Sequence, residues 1–415
     1  MTATARKSGE QAMDIRQRLG AKPVINLTGT LTTMGGINAR PEAIAAAAEI
    51  MGYGVDILDL QAAASRVIAE ATGAEAGFVS ACSAAGICMG IAGAMTGDRV
   101  AAIGRLPDTN GLKNQVVIQT GHLVDYGHPV EQDIRLTGAK VVTIGSVNHA
   151  SAGQLEQALG PGTAAALYIV SHHCAPDGQI PFDVFVRVCH AHGVPVIVDL
   201  AAEYDITGYI AAGADITIHS AHKFLGGATA GIVAGNKALV RAAFLQNSGI
   251  ARPMKVGKEG IAAAIVALQL YRTEDRSKAR DALRASLLQL RDALAGVGGL
   301  SAEIDPDPTG NPFDRLRISV APDAGFTAVD IVSALEAGTP SIRMRTHQIE
   351  HGSFVIDFRS LRDGELPVVI DRLKAAIAES TRAKANGGGI SVQQWKAGHG
   401  ARVSRWPDAP AEAAE

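Results

Sequence analysis

Hydrophobic and polar positions follow two alternating patterns between about residue 55 and residue 250. Short apolar runs rich in Val and Ile predict buried strands, and longer stretches with apolar residues at helical spacing predict helices between them. The predicted strands are Ala76–Val79, Gln115–Ile118, Lys140–Ile144, Ala164–Val170, Val194–Val198, Asp215–His219 and Gly231–Ala234. The predicted helices include Ser83–Met95, Ser151–Leu159 and Phe182–Ala191. This alternation favours an α/β fold with a doubly wound, mostly parallel sheet and active-site loops at the strand ends.

The same patterns divide the chain into four predicted segments. They are an N-terminal arm (1–22), a large domain (23–270), a smaller α+β C-terminal domain (271–385) and a C-terminal tail (386–415). After Asn386-Gly-Gly-Gly the composition changes, and the tail contains both tryptophans, Trp395 and Trp406. Two interpretations of this tail stay open: an arm that spans subunits, or a partly disordered segment.

The composition narrows the class of protein. Hydrophobic residues make up 47% of the 415-residue chain and charged residues 19%, which is typical of globular proteins. A formal net charge of −3 gives no overall attraction to nucleic acid or to an anionic membrane. The polar N-terminus lacks the apolar core of a signal peptide, and no run approaches the roughly 18 apolar residues of a membrane span. We therefore expect a soluble cytoplasmic protein whose four cysteines are reduced, buried thiols.

The segment Ser220-Ala-His-Lys-Phe-Leu-Gly-Gly carries the strongest chemical signal, because it follows a predicted buried strand. Lys223 is poorly placed there for solvent and well placed to form an imine with a carbonyl cofactor, and His222 and the apolar strand suit an amine of lowered pKa. The run Pro195-Val-Ile-Val ends in Asp199, whose carboxylate suits a protonated pyridine nitrogen. Ser220 and the small residues after Lys223 allow a phosphate and a flat ring to approach the backbone. Together these residues predict a pyridoxal-phosphate (PLP) site with Lys223 and Asp199 as catalytic residues.

The predicted phosphate end of this site lies at a turn from strand to helix. Ser83, Ala84 and Ala85 begin the helix, where free backbone N–H groups suit the cofactor phosphate together with Ser220. Small residues at a helix start are common, so this signal is weak without the lysine and the aspartate.

Three histidines follow predicted strands and extend the site. His122 either stacks on the face of the pyridine ring or makes a local hydrogen bond in its loop. His172 and His173 are assigned to cofactor or substrate contact, with a plain structural role as the alternative. A metal is not expected, because no third and fourth ligand lies nearby at coordinating spacing.

Two groups of cations are candidate anion-binding residues. The first lies in a loop with a proline and glycines, which in a dimer can reach the phosphate of a neighbouring subunit: Arg252, Lys255 and Lys258. We assign Arg252 to the cofactor and Lys258 to the substrate. The second group suits bidentate binding of a substrate carboxylate, with a plain surface position as the alternative: Arg343, Arg345 and Arg359. Of these, Arg345 and Arg359 are assigned to the substrate.

The chain also resembles a known family through five strings. They are Ile25-Asn-Leu-Thr-Gly, Ser171-His-His-Cys, Val198-Asp-Leu-Ala-Ala-Glu, Ser220-Ala-His-Lys-x-x-Gly-Gly and Arg252-Pro-Met-Lys-Val-Gly-Lys-Glu. These strings resemble the D-glucosaminate-6-phosphate ammonia-lyase-like group, which is related to bacterial selenocysteine synthase (L-seryl-tRNA(Sec) selenium transferase) of PLP fold type I. The resemblance implies PLP on Lys223, Asp199 at the ring nitrogen, and a homodimer or larger assembly with shared active sites.

Two departures from this resemblance limit the functional prediction. Selenocysteine synthase carries an N-terminal tRNA-binding domain, whereas only a short segment without a basic cluster precedes Val24 here. We therefore expect no selenium transfer to a tRNA-bound serine and no nucleic-acid partner. Residues that recognise a sugar-acid phosphate are not identifiable.

These observations predict a PLP-dependent lyase that removes ammonia from a small hydroxylated amino acid or amino sugar acid. The freed Lys223 amine removes the α-proton, and loss of a β-hydroxyl leads to a 2-keto acid and ammonia. An aminotransferase, a racemase or an aldolase uses the same first steps and stays open as an alternative. A non-catalytic regulatory protein is disfavoured by the intact Lys223, Asp199 and Ser220.

Overall fold

The computed structural model describes residues 14–408. The first part of the predicted N-terminal arm (1–13) and the end of the predicted tail (409–415) lie outside the described residues. The chain divides into two compact units. The larger unit consists of Thr30–Arg276 and Asp307–Pro312, and the smaller unit contains the described residues up to Gly29, Ser277–Pro306 and the described residues from Phe313.

Twelve strands are present among the described residues. In chain order they are β1 (Val24–Leu27), β2 (Ala76–Ser80), β3 (Gln115–Gln119), β4 (Lys140–Ile144), β5 (Thr163–Ile169), β6 (Val196–Asp199), β7 (Ile216–Ser220), β8 (Gly231–Gly235), β9 (Leu300–Pro306), β10 (Asp314–Val320), β11 (Ser341–Met344) and β12 (Ser353–Ile356).

Fifteen α-helices connect these strands in the described part of the chain. They are α1 (Ile15–Arg18), α2 (Pro41–Met51), α3 (Ile57–Thr72), α4 (Ser83–Thr96), α5 (Val100–Ile103), α6 (Val130–Leu136), α7 (Ala152–Ala158), α8 (Phe182–Ala191), α9 (Gly208–Ala211), α10 (Lys237–Leu245), α11 (Lys258–Thr273), α12 (Arg276–Ala293), α13 (Ala328–Ala337), α14 (Glu365–Ala385) and α15 (Val392–Ser404). Short 3₁₀ turns occupy Thr32–Met34, Thr120–His122, Gln246–Ser248, Arg252–Met254, Ile349–His351 and Phe358–Ser360.

The larger unit is built on one seven-stranded sheet of order β2-β8-β7-β6-β5-β3-β4. The pairs from β4 through β3, β5 and β6 to β7 are parallel, while β8 runs antiparallel to both β7 and β2. The predicted α/β class with a mostly parallel sheet is therefore confirmed.

Both faces of this sheet are covered, as the continuous apolar runs of its strands require. Successive residues of a strand point to opposite faces. Val116 and Ile118 accordingly pack in one core cluster with Ile87 and Ile91 of α4. Val117 packs in a separate cluster on the other face, whose members include Val196 of β6 and Leu155, Phe185 and Cys189 of the helices α7 and α8.

The smaller unit contains two sheets. Strands β12, β10 and β9 form an antiparallel sheet, and β1 pairs in parallel with β11. Leu27 and Phe354 are among the fully buried residues of this unit's core, together with Leu335 of α13 and Leu373 of α14. The short strand near the N-terminus is thus part of a unit that is otherwise formed by the C-terminal third of the chain.

Two properties of the whole described chain bear on the sequence analysis. Cys82, Cys88, Cys174 and Cys189 are all free. Cys88 and Cys189 are buried as expected, whereas Cys82 and Cys174 are only partly buried. Burial raises the pKa of the Cys174 and Cys189 thiols to about 12. From residue 14 to residue 408, no helix combines the length and the apolar character that crossing a membrane requires.

The outer edge of β2 is closed by a side chain instead of another strand. Gln61 of α3 is 5% exposed, donates from Nε2 to the Val79 carbonyl at 2.7 Å, and accepts the Val79 N–H at 2.9 Å. The amide thus takes the place of a neighbouring strand at this residue.

We expect Gln61→Ala to lower the free energy of unfolding by about 2–4 kcal/mol, because two buried backbone groups lose their partners. Urea denaturation of the full chain measures this loss. Arg66→Ala, on the exposed side of the same helix, is the control and should change the free energy of unfolding by no more than about 0.5 kcal/mol. Equal effects of the two substitutions would contradict the proposed role of Gln61.

Candidate active site

The neighbouring parallel strands β6 and β7 bring the predicted catalytic residues to the carboxyl end of the parallel strands of the large sheet. Asp199 is the last residue of β6 and pairs in register with Ile218 of β7. Ser220 ends β7, and the turn that carries Lys223 begins there, with the Lys223 N–H donating to the Ser220 carbonyl at 3.2 Å. Both residues therefore lie at the carboxyl ends of their strands, where ligands bind in open α/β sheets.

Asp199 is buried beside Lys223. It is 7% exposed, and its Oδ1 accepts the Ala201 N–H at 3.0 Å. Burial raises the pKa of Asp199 to about 6, and the positive charge of Lys223 is the largest influence in the opposite direction. A cationic ring nitrogen in contact with Asp199 would lower this pKa further and keep the carboxylate ionised.

Ser220 and His222 form a buried polar group next to Lys223. The Ser220 hydroxyl and His222 Nδ1 are 3.3 Å apart, and both residues are buried. Burial lowers the pKa of His222 to about 4, with a contribution from Lys223, so the imidazole is neutral at pH 7. His222 Nε2 is buried without a hydrogen-bond partner. A buried imidazole nitrogen in this condition suits a ligand oxygen.

The start of helix α4 lies at the same end of the sheet as Ser220. Gly231 of β8 pairs with Ser80 of β2 on one side and with Ser220 of β7 on the other. A Cβ at Gly231 would come within 2.4 Å of the Cys82 carbonyl oxygen, so glycine permits this close approach. Three residues after Ser80, Ser83 opens α4.

Cys82 is the N-cap of α4, a role that the sequence analysis did not give it. Its Sγ accepts the Ala85 N–H at 3.4 Å, and its carbonyl accepts the Ser80 hydroxyl at 2.8 Å. The predicted phosphate-binding residues Ser83, Ala84 and Ala85 occupy the first turn, where backbone N–H groups point out of a helix. Because the Ala85 N–H donates to Cys82 Sγ, the proposed phosphate contacts fall to the N–H groups of Ser83 and Ala84.

His122 and the His172-His173 pair lie at the ends of the adjacent strands β3 and β5. Ile169, the last residue of β5, pairs in register with Asp199 and donates its N–H to His122 Nδ1 at 3.1 Å. Burial lowers the pKa of His122 to about 4. The neutral ring therefore carries its proton on Nε2. His172 and His173 follow Ile169 by three and four residues. The centroids of their rings are 4.0 Å apart.

The predicted anion-binding cations Arg252 and Lys258 both lie in the larger unit. Arg252 is exposed in the turn Arg252–Met254. Lys258 begins α11, and its Nζ donates to the carbonyls of Met51, the last residue of α2, and of Tyr53. Lys258 thus has a structural partner in addition to its predicted substrate.

The predicted substrate arginines belong to the smaller unit. Arg359 donates to the fully buried Asp357 from Nε at 3.0 Å and from Nη2 at 2.6 Å, and its Cζ lies 3.7 Å from the centroid of the Phe313 ring. Arg345 donates to the Thr28 carbonyl at 3.1 Å. Although burial opposes its ionisation, Asp357 has a pKa lowered to about 2 by Arg359, Arg315 and Arg345.

The sequence analysis did not single out Asp357 or Arg315, because neither lies in a recognisable motif. Arg343, the third predicted arginine, forms an ion pair with Glu336 at 3.0 Å. Arg343 and Arg359 are therefore anchored by internal acids, which fixes their orientation.

The residues of the larger unit fit PLP. Lys223 and Asp199 match the aldehyde and the ring nitrogen of the cofactor, the buried Nε2 of His222 lacks a partner, and the first turn of α4 offers N–H groups for a phosphate. A metal ion has no comparable site: within residues 14–408, no three His, Cys, Asp or Glu side chains are grouped to hold one.

Comparisons with known proteins show what this chain is similar to. A sequence profile of the SelA family, L-seryl-tRNA selenium transferase, matches residues 24–292. D-glucosaminate-6-phosphate ammonia lyase of Salmonella typhimurium is 38% identical over 363 residues, which cover 87% of this chain and 97% of the lyase. A solved structure of D-glucosaminate-6-phosphate ammonia-lyase matches with a TM-score of 0.82 and 36% identity, over 89% of this chain and 100% of that one.

Two other matches widen the comparison. The 5'-C-glycyluridine monooxygenase-decarboxylase of a Streptomyces species is 36% identical over 370 residues, which cover 88% of this chain and 92% of that enzyme. A structure of serine palmitoyltransferase from S. paucimobilis with a bound PLP–myriocin aldimine matches with a TM-score of 0.53 and 16% identity, over 86% of this chain and 88% of that one. At that identity only the fold is shown, and the predicted PLP fold type I is confirmed. The resemblance inferred from the sequence is confirmed as well.

Gly36 provides a test of the site geometry. It has φ +80°, and a Cβ there would lie 2.3 Å from the His222 carbonyl oxygen and 2.6 Å from His222 Cδ2. Gly36→Ala should therefore displace His222 and the neighbouring Lys223 and weaken PLP binding about tenfold or more, measured by absorbance titration.

The adjacent Gly35 is a matched control. It has φ +81°, and nothing lies within 4 Å of a Cβ built on it. Gly35→Ala carries the same backbone strain, about 1–2 kcal/mol, but should leave PLP affinity unchanged. Equal PLP affinity of the two variants would show that His222 does not contribute to the cofactor site.

Proposed function

The chain belongs to the L-seryl-tRNA selenium transferase (SelA) family, and we propose that it is a PLP-dependent ammonia lyase acting on an amino sugar acid or another small hydroxylated amino acid. One observation carries this proposal. Asp199, Ser220 and Lys223 lie at the carboxyl ends of two paired strands in a chain that is 38% identical to an ammonia lyase over 97% of that enzyme. The name of this relative supports a phosphorylated amino sugar acid as the first substrate to test.

The residues of the larger unit divide the binding of PLP among them. Lys223 would hold the cofactor covalently through its side-chain amine. Asp199 keeps a proton on the pyridine nitrogen through a buried ion pair. Ser220, the neutral His222 and the N–H groups of Ser83 and Ala84 bind the phosphate. His122 lies against the ring, and His172 and His173 contact cofactor or substrate.

The reaction then depends on whether the amine of Lys223 is free to accept a proton. When bound, PLP supplies the electron sink for the negative charge that develops at the substrate Cα. The Lys223 amine, released by the substrate, takes the α-proton. The β-hydroxyl leaves with a proton as water, and hydrolysis of the unsaturated product gives a 2-keto acid and ammonia. No oxidant and no amino acceptor is consumed.

The candidate anion-binding residues keep their roles within this proposal. Arg345 and Arg359 bind the substrate carboxylate, and the salt bridge of Arg359 to Asp357 gives that part of the smaller unit a fixed orientation. Lys258 is a substrate residue, and Arg252 binds the cofactor phosphate of a second subunit.

A second candidate function has a specific observation in its favour. The monooxygenase-decarboxylase is nearly as similar to this chain as the ammonia lyase, with 36% against 38% identity. That activity differs from the lyase in its products, since decarboxylation releases CO₂ and a monooxygenase consumes O₂. The sequence analysis did not include this alternative beside the aminotransferase, racemase and aldolase.

We expect the wild-type protein to release ammonia and a 2-keto acid in equal amounts from its amino acid substrate, without O₂ and without an amino acceptor. A panel of D- and L-hydroxy amino acids and amino sugar acids, with and without a phosphate, is assayed for ammonia, keto acid and CO₂ separately. Dependence on a keto acid would indicate an aminotransferase, and CO₂ release that requires O₂ would indicate the second candidate.

Lys223→Ala is the matched variant for this assay. Borohydride should fix PLP covalently to the wild-type protein and not to Lys223→Ala, and the variant should lose ammonia release by a factor of about 100 or more. Covalent fixation of PLP to Lys223→Ala would overturn the assignment of the lysine.

A homodimer with shared sites completes the proposal. Several large apolar side chains of α2, α3 and the segment between them are 42–64% exposed, which favours a protein interface there: Ile44, Met51, Tyr53, Ile57 and Leu58. Lys258 donates to the carbonyls of Met51 and Tyr53 and so connects the segment that contains Arg252, Lys255 and Lys258 to this surface.

We expect subunits carrying Arg252→Glu and subunits carrying Lys223→Ala to be inactive alone and to regain part of the activity when mixed. In a hybrid dimer with shared sites, one of the two sites has both residues intact. Ammonia release is measured after subunit exchange, which differently tagged subunits confirm. Exchange without recovered activity would place Arg252 in the site of its own subunit or outside the site.

A further inference from the structure

Three backbone carbonyls around the candidate lysine accept hydrogen bonds from one segment that is distant in sequence. The Ile37 N–H donates to the His222 carbonyl at 3.1 Å, and the Arg40 N–H donates to the Gly226 carbonyl at 2.8 Å. Arg40 also donates from Nε to the Leu225 carbonyl at 2.7 Å, across 185 positions of sequence. Arg40 thus binds two consecutive carbonyls of the lysine turn, one through its backbone and one through its side chain.

Gly226 provides the space that the Arg40 side chain occupies. It has φ +69°, and a Cβ built on it would lie 3.0 Å from Arg40 Cγ and 3.4 Å from Arg40 Nε. The sequence analysis explained the small residues after Lys223 by the approach of a cofactor alone. In the structure, one of these glycines also permits the close contact between the turn and the arginine.

Arg40 is itself held in place from two sides. Its backbone is extended, with φ −64° and ψ 141°, as expected for a residue that precedes a proline, here Pro41 at the start of α2. Its Nη2 donates to Glu274 Oε2 at 2.7 Å, just after the end of α11. A guanidinium group is planar and can donate in two fixed directions at once. Arg40 therefore connects the lysine turn to the end of α11.

The residue after Lys223 fixes the turn at the same place. Phe224 is 4% exposed, and its ring centroid lies 5.2 Å from that of Tyr271 in α11 and 5.1 Å from that of Tyr204. Tyr271 precedes Glu274 by three residues, so the aromatic contact and the arginine contact both reach the last turn of α11. The backbone that follows Lys223 is thereby bound by a buried ring and by two hydrogen bonds.

We propose that Arg40 is a positioning residue that orients the Lys223 amine for its reaction with PLP, and that Glu274 orients Arg40. The inference rests on the proposed attachment of PLP to Lys223 and not on the reaction that follows. A lysine side chain is long and flexible, so the position of its amine depends on how firmly the backbone at its base is held. Arg40 acts through the turn, without contact to the cofactor.

A double-mutant cycle in the full chain tests this role. PLP affinity is measured by absorbance titration for the wild type, Arg40→Ala, Lys223→Ala and the double variant. Arg40→Ala should weaken PLP binding about tenfold when Lys223 is present, and less than about twofold in the Lys223→Ala background, where no amine has to be oriented. Equal losses in the two backgrounds would show that Arg40 contacts PLP or supports the fold in general, and would overturn the proposal.

Two further comparisons separate orientation from stability. Glu274→Gln keeps an acceptor for Arg40 and should leave PLP affinity within about twofold of the wild type, whereas Glu274→Ala should lower it about two- to fivefold, again only with Lys223 present. Arg66→Ala, exposed on α3, is the control and should have no effect. Should Arg40→Ala fail to fold, as its melting temperature would show, Glu274→Ala serves in the same cycle. Unchanged PLP affinity of a folded Arg40→Ala would overturn the proposal.

Ammonia release gives a second readout. Because the Lys223 amine takes the α-proton but does not hold the substrate, Arg40→Ala should lower kcat about tenfold and leave KM within about twofold. A raised KM with unchanged kcat would place Arg40 at the substrate and overturn the proposal. A wild-type protein that attaches PLP through Lys223 and shows the coupling to Arg40, but releases no ammonia, would refute the lyase function and leave this inference intact.

Discussion

The parallel pairing of β6 with β7 is the constraint on which the candidate site depends. Its register sets Asp199 opposite Ile218, so the carboxylate and the turn that starts at Ser220 lie at the same end of the two strands. Asp199 is buried there, and the charge of Lys223 acts on it with little screening by water. Slipping the pair by one residue would turn every side chain of β6 to the other face and separate the two groups. The apolar residues that bury both strands therefore also hold the chemistry in place.

Much of the larger unit could be predicted from the sequence, because its strands are short apolar runs bounded by loops. Predicted strands such as Gln115–Ile118 and Lys140–Ile144 match β3 and β4 closely, and the predicted helix Phe182–Ala191 has the bounds of α8. The residues that we propose for binding a ring and a phosphate could also be named from the sequence, since each lies at or just after the end of one of these strands. Local sequence suffices where one segment supplies both the element and the functional side chain.

Contacts between segments far apart in sequence could not be predicted in this way. Nothing in the run around Val24 indicates that β1 pairs with β11, more than 300 positions later. The internal acids that anchor Arg343 and Arg359, Glu336 and Asp357, lie in no motif. A sequence pattern can show that an arginine suits a carboxylate but not whether that carboxylate belongs to a substrate or to the protein itself.

Related PLP activities are likewise hard to distinguish from local sequence alone. A buried aspartate and a lysine at the carboxyl ends of adjacent strands serve any PLP reaction in which negative charge develops at the substrate Cα. They do not determine which bond breaks next. Two relatives with different named activities are 38% and 36% identical to this chain. What selects elimination must therefore come from groups around the pair that set proton positions and exclude other reactants. Glu203 lies among these groups, since it is buried four residues after Asp199 and its Oε2 accepts a hydrogen bond from Asn311 Nδ2 at 2.9 Å.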